Sequence, residues 1–142
     1  MIVVVEGVSA SGKSTWCRKQ GAHHVVPENG AIPDAPDRDQ DPAAAARFWS
    51  ERSASRWQAA LTLEQATGTA ICDSDPLKLH YIWCLWQIGE APEDHWRQEQ
   101  AAMRKTLCDR GIGFADAYFV HEIDPALAWQ RRDGDATRRR RN

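Results

Sequence analysis

The sequence predicts an α/β fold in which helices cover both faces of a parallel sheet, for three reasons. Residues 2–5 form a continuous β-branched run, which is typical of a strand buried on both faces. Short apolar segments and helical segments alternate along the rest of the chain. A glycine-rich loop joins the first strand to the first helix. The 142 residues are enough for one domain with a buried core, which we expect to span residues 1–142.

The predicted strands and helices alternate throughout the chain. The strands are predicted at residues 2–5, 24–26, 69–72 and 117–123. Helices are predicted at residues 13–20, 42–66, 76–88 and 92–110, with a short last helix from residue 125. Aspartate–proline pairs at 41–42, 75–76 and 124–125 are expected to open three of these helices. An aspartate oxygen accepts hydrogen bonds from free N–H groups there, and proline has no N–H to leave unpaired.

Residues 7–14 carry the strongest functional signal and are called the P-loop below. They match the pattern G-x-x-x-x-G-K-[S/T] in full. Glycines let successive N–H groups point at phosphate oxygens, and the following helix adds the positive end of its dipole. Lys13 is expected to reach the β- and γ-phosphates, and the Ser14 hydroxyl to bind Mg²⁺. The expected MgATP-binding residues are Gly7, Ser9, Ala10, Ser11, Gly12, Lys13, Ser14 and Thr15. The alternative is a glycine- and serine-rich turn without a ligand.

Two acidic residues follow predicted strands and are candidates for chemistry at the P-loop. Glu28 comes just after the second strand, in an acidic, proline-rich loop over residues 27–42 on the substrate side. Ligands of open α/β sheets lie beyond the carboxyl ends of the strands, where Glu28 could accept a proton from a substrate hydroxyl. Asp73 ends the third strand, where a carboxylate can serve catalysis by organising Mg²⁺. The alternatives are a solvated acid at Glu28 and a turn aspartate at Asp73.

Arginines dominate the end of the chain. Residues 131–142 hold six arginines, interrupted by Asp133, Gly134 and Asp135. This pattern predicts a hinged lid that closes over the phosphates, with Arg132 and Arg138 as catalytic candidates. The alternatives are a basic tail or a nucleic-acid-binding patch.

The composition limits which binding partners and which cellular location are expected. A net charge of −2 argues against a protein that mainly coats nucleic acid or an anionic membrane. No apolar run is long enough to span a bilayer, so no membrane partner is expected. The four cysteines lack the spacing of a zinc site or a redox pair, which favours reduced thiols and a cytoplasmic protein. The oligomeric state stays open, with a homodimer as one alternative.

Several segments together resemble the P-loop kinases of the nucleoside and nucleotide type, particularly deoxynucleoside and thymidylate kinases. The matching segments are Val5-Glu6-Gly7, Gly12-Lys13-Ser14-Thr15, Val26-Pro27-Glu28, Asp73, His121-Glu122-Ile123-Asp124-Pro125 and the arginine-rich end. The resemblance implies a three-layer P-loop NTPase fold with strand order 2-3-1-4 and an ATP phosphate site. It also implies an acceptor site between the ends of the second and third strands, with Glu28 as the carboxylate that addresses the acceptor hydroxyl.

Two features differ from that group. Its members commonly have an arginine that grips the acceptor directly after the acidic residue of the third strand, and here that position is Ser74. Arg52 or Arg56, on the helix after the acidic loop, could take this role, or could lie on a solvated helix face. Such kinases usually continue past the lid with a helix and a fifth strand, whereas this sequence ends at Asn142. We therefore expect a missing fifth strand, in either a minimal kinase or a shortened one.

The leading functional prediction is transfer of the γ-phosphate of MgATP to a hydroxyl of a small molecule, with a nucleoside or nucleotide favoured. The alternatives are a kinase for a non-nucleoside alcohol, such as a sugar acid or an antibiotic, and a nucleotide-dependent ATPase or switch. A GTPase is disfavoured because the sequence lacks a guanine-reading Asn-Lys-x-Asp. Four tryptophans on the helices expected to wall the acceptor site could stack on a base or pack in the core: Trp49, Trp57, Trp83 and Trp86.

Overall fold

The computed structural model describes residues 1–28 and 32–134 and contains a four-stranded parallel sheet. The strands are β1 (Ile2–Glu6), β2 (Val25–Val26), β3 (Ala70–Asp73) and β4 (Ala117–Val120). Their order in the sheet is β2-β3-β1-β4, and each neighbouring pair is parallel. The predicted α/β fold and the strand order implied by the family resemblance are both confirmed.

Within the described residues five α-helices flank the sheet, and several of their ends follow local sequence signals. The helices are α1 (Lys13–Lys19), α2 (Pro42–Thr67), α3 (Leu79–Gln87), α4 (Glu93–Cys108) and α5 (Pro125–Asp133). The side chain of Asp41 accepts a hydrogen bond from the Ala44 N–H at 2.8 Å, and Asp124 caps α5 in the same way. Gly68 ends α2 in the left-handed conformation that glycine adopts without strain.

The aspartate–proline pair at residues 75–76 does not open a helix, so the prediction of a helix start there was wrong. Asp75 accepts a hydrogen bond from the Leu77 N–H at 2.9 Å and forms a turn, and α3 begins only at Leu79. The reason is a tertiary contact, because the Asp75 N–H donates to the Glu6 carboxylate at 2.6 Å and holds this segment against β1. The end of the fourth strand also differs from the prediction, because β4 ends at Val120 and does not reach residue 123.

The main core lies between the sheet and helices α2 and α4. Its buried members come from three strands, from both helices and from the segment before β4: Ile2, Val4, Val26, Trp57, Ala60, Ala70, Cys72, Met103 and Ile112. Each large apolar side chain buried in this way stabilises the fold by roughly 1.5–3 kcal/mol. The sheet is thereby fixed against α2, and α2 also carries the residue that holds the strand ends in place.

Arg56 of α2 joins the carboxyl ends of β2 and β3. Its side chain is 7% exposed, and its guanidinium donates to the carbonyls of Pro27 (3.1 Å), Asp73 (2.7 Å) and Ser74 (2.9 Å). These carbonyls belong to the segments that carry Glu28 and the β3–α3 connection. Arg56 is therefore a structural residue, and its guanidinium is already occupied by backbone carbonyls.

We expect Arg56→Met to lower the free energy of unfolding by about 3 kcal/mol, because it leaves three carbonyls without their charged donor. Arg52→Met is the matched control, because Arg52 lies exposed one helical turn earlier on α2. Urea denaturation measures both variants. Equal stability of the two variants would contradict the bridging role of Arg56.

Candidate functional site

The P-loop connects β1 to α1 by a turn that needs glycine at both ends. Gly7 has φ 145° and Gly12 has φ 101°, in a region that residues with a side chain rarely adopt. A Cβ atom on Gly7 would lie 2.5 Å from the carbonyl oxygen of His121, at the end of β4. The backbone is therefore packed too closely for any side chain at this point, as expected of a loop that wraps a ligand with its own N–H groups.

A cavity of about 1440 Å³ opens beside the P-loop, at the carboxyl ends of the strands. The whole P-loop forms one wall of this cavity. Glu28 after β2, and Ser74, Asp75 and Lys78 after β3, form another part of its lining. The predicted loop and the predicted base thus face one cavity, which is large enough for two small ligands side by side.

Lys13 already makes hydrogen bonds within the P-loop. Its ammonium donates to the carbonyl of Gly7 at 2.6 Å and to that of Val8 at 3.1 Å. The Thr15 hydroxyl accepts from Arg18 at 3.2 Å, and the buried Ser11 hydroxyl has no hydrogen-bond partner within residues 1–28 and 32–134. A buried polar group without a partner is costly, so an oxygen-bearing ligand at the loop would satisfy it.

Asp73 lies behind the P-loop rather than in the cavity lining. It pairs in register with Val5 of β1 and is 5% exposed. Its carboxylate oxygen Oδ1 is buried and has no hydrogen-bond partner in the described part of the chain. Burial, and next the Asp73 charge, raise the pKa of the Cys17 thiol in α1 to about 11.

The donors present fit a magnesium ion that keeps most of its water. Mg²⁺ at phosphate sites usually takes one or two protein oxygens, with water and phosphate as its other ligands. The Ser14 hydroxyl, in the cavity lining, is an oxygen of this kind, and the unpartnered Oδ1 of Asp73 becomes a second one only if its buried side chain turns toward the cavity. Within the described ranges, no three His, Cys, Asp or Glu side chains form a metal-binding cluster. The site thus fits a phosphate-bound ion better than a protein-only metal cage.

Glu28 forms an ion pair with Lys78, a residue that sequence analysis did not single out. The Lys78 ammonium donates to Oε1 of Glu28, and both side chains are 40% exposed. Burial raises the pKa of the Glu28 carboxyl, but Lys78, with smaller contributions from Lys13 and Ser74, brings it below its ordinary value. Glu28 is therefore ionised at neutral pH, as a proton acceptor must be.

Glu6 and Asp75 form a separate acidic pair that the backbone holds in place. The Glu6 carboxylate accepts from the Gly7 N–H at 3.2 Å and from the Asp75 N–H at 2.6 Å. Burial raises the pKa of Asp75, whose carboxyl also contacts the Tyr118 hydroxyl. Burial is also the main cause that raises the pKa of Tyr118. The hydrogen bonds of these acids hold the backbone in place where β1 leads into the P-loop.

The predicted lid lies only partly within the described residues. Arg131 lines the cavity. The Arg132 guanidinium lies 4.4 Å from the centre of the Trp129 ring instead, in a cation–π contact. Arg138 and the rest of the predicted lid after residue 134 lie outside the described residues.

None of the four tryptophans proposed for base stacking lines the cavity. Trp57 is buried in the core, and Trp86 stacks on Trp96 with ring centres 6.3 Å apart. Trp49 packs edge-on against Phe48, and Trp83 is exposed on α3. The aromatic side chains that do line the cavity include Trp16, Tyr81 and Tyr118. Helical spacing alone does not distinguish core-facing rings from cavity-facing rings, which is why the sequence left both alternatives open.

Solved structures with a similar fold include deoxyadenosine kinase from M. mycoides with bound dATP. This chain is 12% identical to it, with a TM-score of 0.58, and the match covers 94% of this chain and 71% of that one. Two further structures of the same kinase also match. The one with the products dCMP and a flexible dCDP bound is 10% identical to this chain, with a TM-score of 0.58, and the one with bound dCTP is 13% identical, with a TM-score of 0.56. Each match covers 96% of this chain and 72% of that one. No protein-family model and no curated protein matches the sequence.

These identities show a shared fold and nothing finer. The resemblance to nucleoside kinases is therefore confirmed at the level of the fold. Over the described ranges, no helix is both long and apolar enough to cross a membrane.

We expect Gly7→Ala to cost at least about 2 kcal/mol more unfolding free energy than Gly89→Ala. Both glycines have positive φ, but a Cβ on Gly89 meets no atom within 4 Å, whereas on Gly7 it clashes with the His121 carbonyl. The comparison separates the backbone strain common to both sites from the clash at the P-loop. Chemical denaturation measures the difference, and similar costs would contradict the close packing of β4 against the P-loop.

Proposed function

We propose that the protein is a kinase that transfers the γ-phosphate of MgATP to a hydroxyl of a small acceptor. The observation that carries the proposal is that a complete P-loop and the ionised carboxylate of Glu28 line one cavity. A P-loop alone would suit an ATPase or a switch equally well. A base across the cavity is what a hydroxyl acceptor requires.

In the proposed reaction, the P-loop N–H groups and Lys13 bind the triphosphate and stabilise charge on the transferred group. Glu28 accepts the proton of the acceptor hydroxyl. The acceptor oxygen forms a bond to the γ-phosphorus while the bond from that phosphorus to the β–γ bridging oxygen breaks, so ADP leaves with the electron pair. The products are the phosphorylated acceptor, ADP and a proton on Glu28.

Ser14 and Asp73 are the residues that would hold Mg²⁺ on the phosphates. When bound, the ion neutralises phosphate charge. Asp73 would have to turn toward the cavity to do so, and its buried Oδ1 has no hydrogen bond to break among residues 1–28 and 32–134. The remaining proposed nucleotide contacts come from P-loop backbone and from Thr15.

A nucleoside or nucleotide is the favoured acceptor. Tyr81 and Tyr118 offer flat, partly polar rings to the cavity. Kinases of similar fold were solved with dATP, dCTP and dCMP bound. A sugar acid or another alcohol is the alternative, since the same rings would pack against many small molecules.

The whole chain, residues 1–142, is proposed to act as one kinase domain, with residues 27–42 as its acceptor-side loop. We also propose that residues 131–142 close over the phosphates. Arg131 supports this because it already lines the cavity. Arg132 would have to leave the Trp129 ring to join it, and Arg138 would act from the far part of the lid.

MgADP is expected to raise the melting temperature by several degrees, since a ligand at a hundred times its Kd stabilises the folded state by about 2.7 kcal/mol. Lys13→Met should abolish most of that shift, while Lys105→Met, on the exposed face of α4, should retain it. A thermal-shift assay with MgADP, followed by nucleosides, nucleotides and other alcohols, gives the acceptor class. No shift with any nucleotide would refute the proposal.

Glu28→Gln should lower turnover by roughly 10²–10⁴-fold and leave the MgADP-induced shift intact, because the amide cannot accept the acceptor proton. Glu90→Gln is the control, at an exposed position after α3. ADP release is followed with each acceptor found in the thermal screen. Turnover within threefold of the wild type would exclude Glu28 as the base.

A further inference from the structure

We propose that Lys78 is the positioning residue of Glu28, supplying the positive charge on the acceptor side for which the family resemblance led us to expect an arginine. The inference rests on the proposed kinase function. Lys78 is the last residue before α3 and the first cationic residue after β3, four positions beyond Ser74. Its ammonium bonds Glu28 across the gap between the ends of β3 and β2.

The other cationic side chains that could take this role are either bonded elsewhere or exposed to solvent. Arg56 is buried and donates to three backbone carbonyls. Arg52 is exposed on α2. Lys13 is bonded to P-loop carbonyls and is required at the phosphates. Lys78 is thus the cation whose hydrogen bond to Glu28 connects the two strand ends.

The backbone has an unusual conformation at Lys78, the residue that makes this contact. Its φ of 28° lies in the left-handed region, which a residue with a side chain rarely adopts. This turn comes directly before α3, after the segment fixed by Asp75 and Leu77. Strain of this kind persists only where surrounding contacts impose it, and here the ion pair with Glu28 lies at the strained residue.

The ion pair defines which carboxylate oxygen is available for chemistry. The Lys78 ammonium binds Oε1, so an acceptor proton would go to Oε2, the oxygen that Lys78 does not hold, on a carboxylate that Ser74 also contacts. A base held by one oxygen loses little freedom when the acceptor binds, and misplacement by about 1 Å can cost 10²-fold in rate. Lys78 therefore acts through Glu28 and need not contact the reacting atoms.

The charges around Glu28 set the sign of the pH effect. Lys78 faces it from the β3–α3 connection, Lys13 from the P-loop, Arg56 from α2 and Ser74 from the end of β3. The pKa of Glu28 lies below its ordinary value, so the stabilisation from the pair is fully present above that ordinary value and is lost as pH falls through the folded-state pKa. Removal of Lys78 should move the pKa of Glu28 upward, and the acid limb of activity should move with it.

The first test needs no acceptor. Carbon-detected NMR titration of the glutamate carboxyls, with Glu28 assigned from Glu28→Gln, compares the wild type with Lys78→Met, Lys78→Arg and Lys105→Met. Lys105 is also ion-paired, with Asp109, but lies on α4 away from the cavity. We expect the pKa of Glu28 to rise in Lys78→Met, to recover in Lys78→Arg and to stay unchanged in Lys105→Met. An unchanged pKa in folded Lys78→Met overturns the proposal.

The second test uses turnover with an acceptor from the thermal screen. Lys78→Met should lower kcat by roughly tenfold to a hundredfold and shift the acid limb of its pH profile upward, with partial rescue by Lys78→Arg. A fall in kcat without any shift of the acid limb would assign Lys78 a merely structural role. A raised pKa of Glu28 in a protein that phosphorylates none of the acceptors would refute the kinase proposal and leave the pairing of Lys78 with Glu28 supported.

Discussion

The bridge formed by Arg56 is the interaction on which the site depends. β2 is only two residues long, so its own ladder to β3 cannot fix the chain that follows it. The guanidinium holds Pro27 against Asp73 and Ser74 through three carbonyls. The carboxylate of Glu28 and the β3–α3 connection are placed by this contact. A buried cation is costly to desolvate, and here backbone oxygens replace the lost water.

The opposite side of the site is organised by close backbone packing instead of by charge. Gly7 lies against the carbonyl of His121, and the His121 N–H donates to the backbone carbonyl of Glu6 at 2.7 Å. The Glu6 carboxylate in turn accepts from Gly7 and from Asp75. The ends of β1, β3 and β4 are thereby joined around the first residue of the P-loop, which makes that loop a rigid part of the sheet edge.

Local chemistry explains which parts of this structure could be predicted from the sequence. The P-loop and the caps at Asp41 and Asp124 depend on residues within a few positions of one another, so their patterns are readable. Lys78 and Glu28 are 50 positions apart, and their contact depends on how the β3–α3 connection turns. The late start of α3 has the same origin, because the bond from the Asp75 N–H to a distant carboxylate, Glu6, holds this segment against β1. For Arg56 the sequence left an acceptor contact and a solvated helix face open, and it is neither, because its carbonyl partners lie 17 to 29 positions away.

The hydrogen bonds of Lys13 make phosphate binding at this residue an exchange. An ammonium has three N–H donors, and two of those of Lys13 bond the carbonyls of Gly7 and Val8, so several bonds to an anion would displace one or both carbonyls. The number of hydrogen bonds then changes little and is a poor guide to affinity. What changes is the charge of the acceptor, since bonds to an ionised oxygen are roughly twice as strong as bonds to a neutral one. In the proposed kinase, the lysine would therefore discriminate by charge and favour an anionic ligand over a neutral ligand of the same shape.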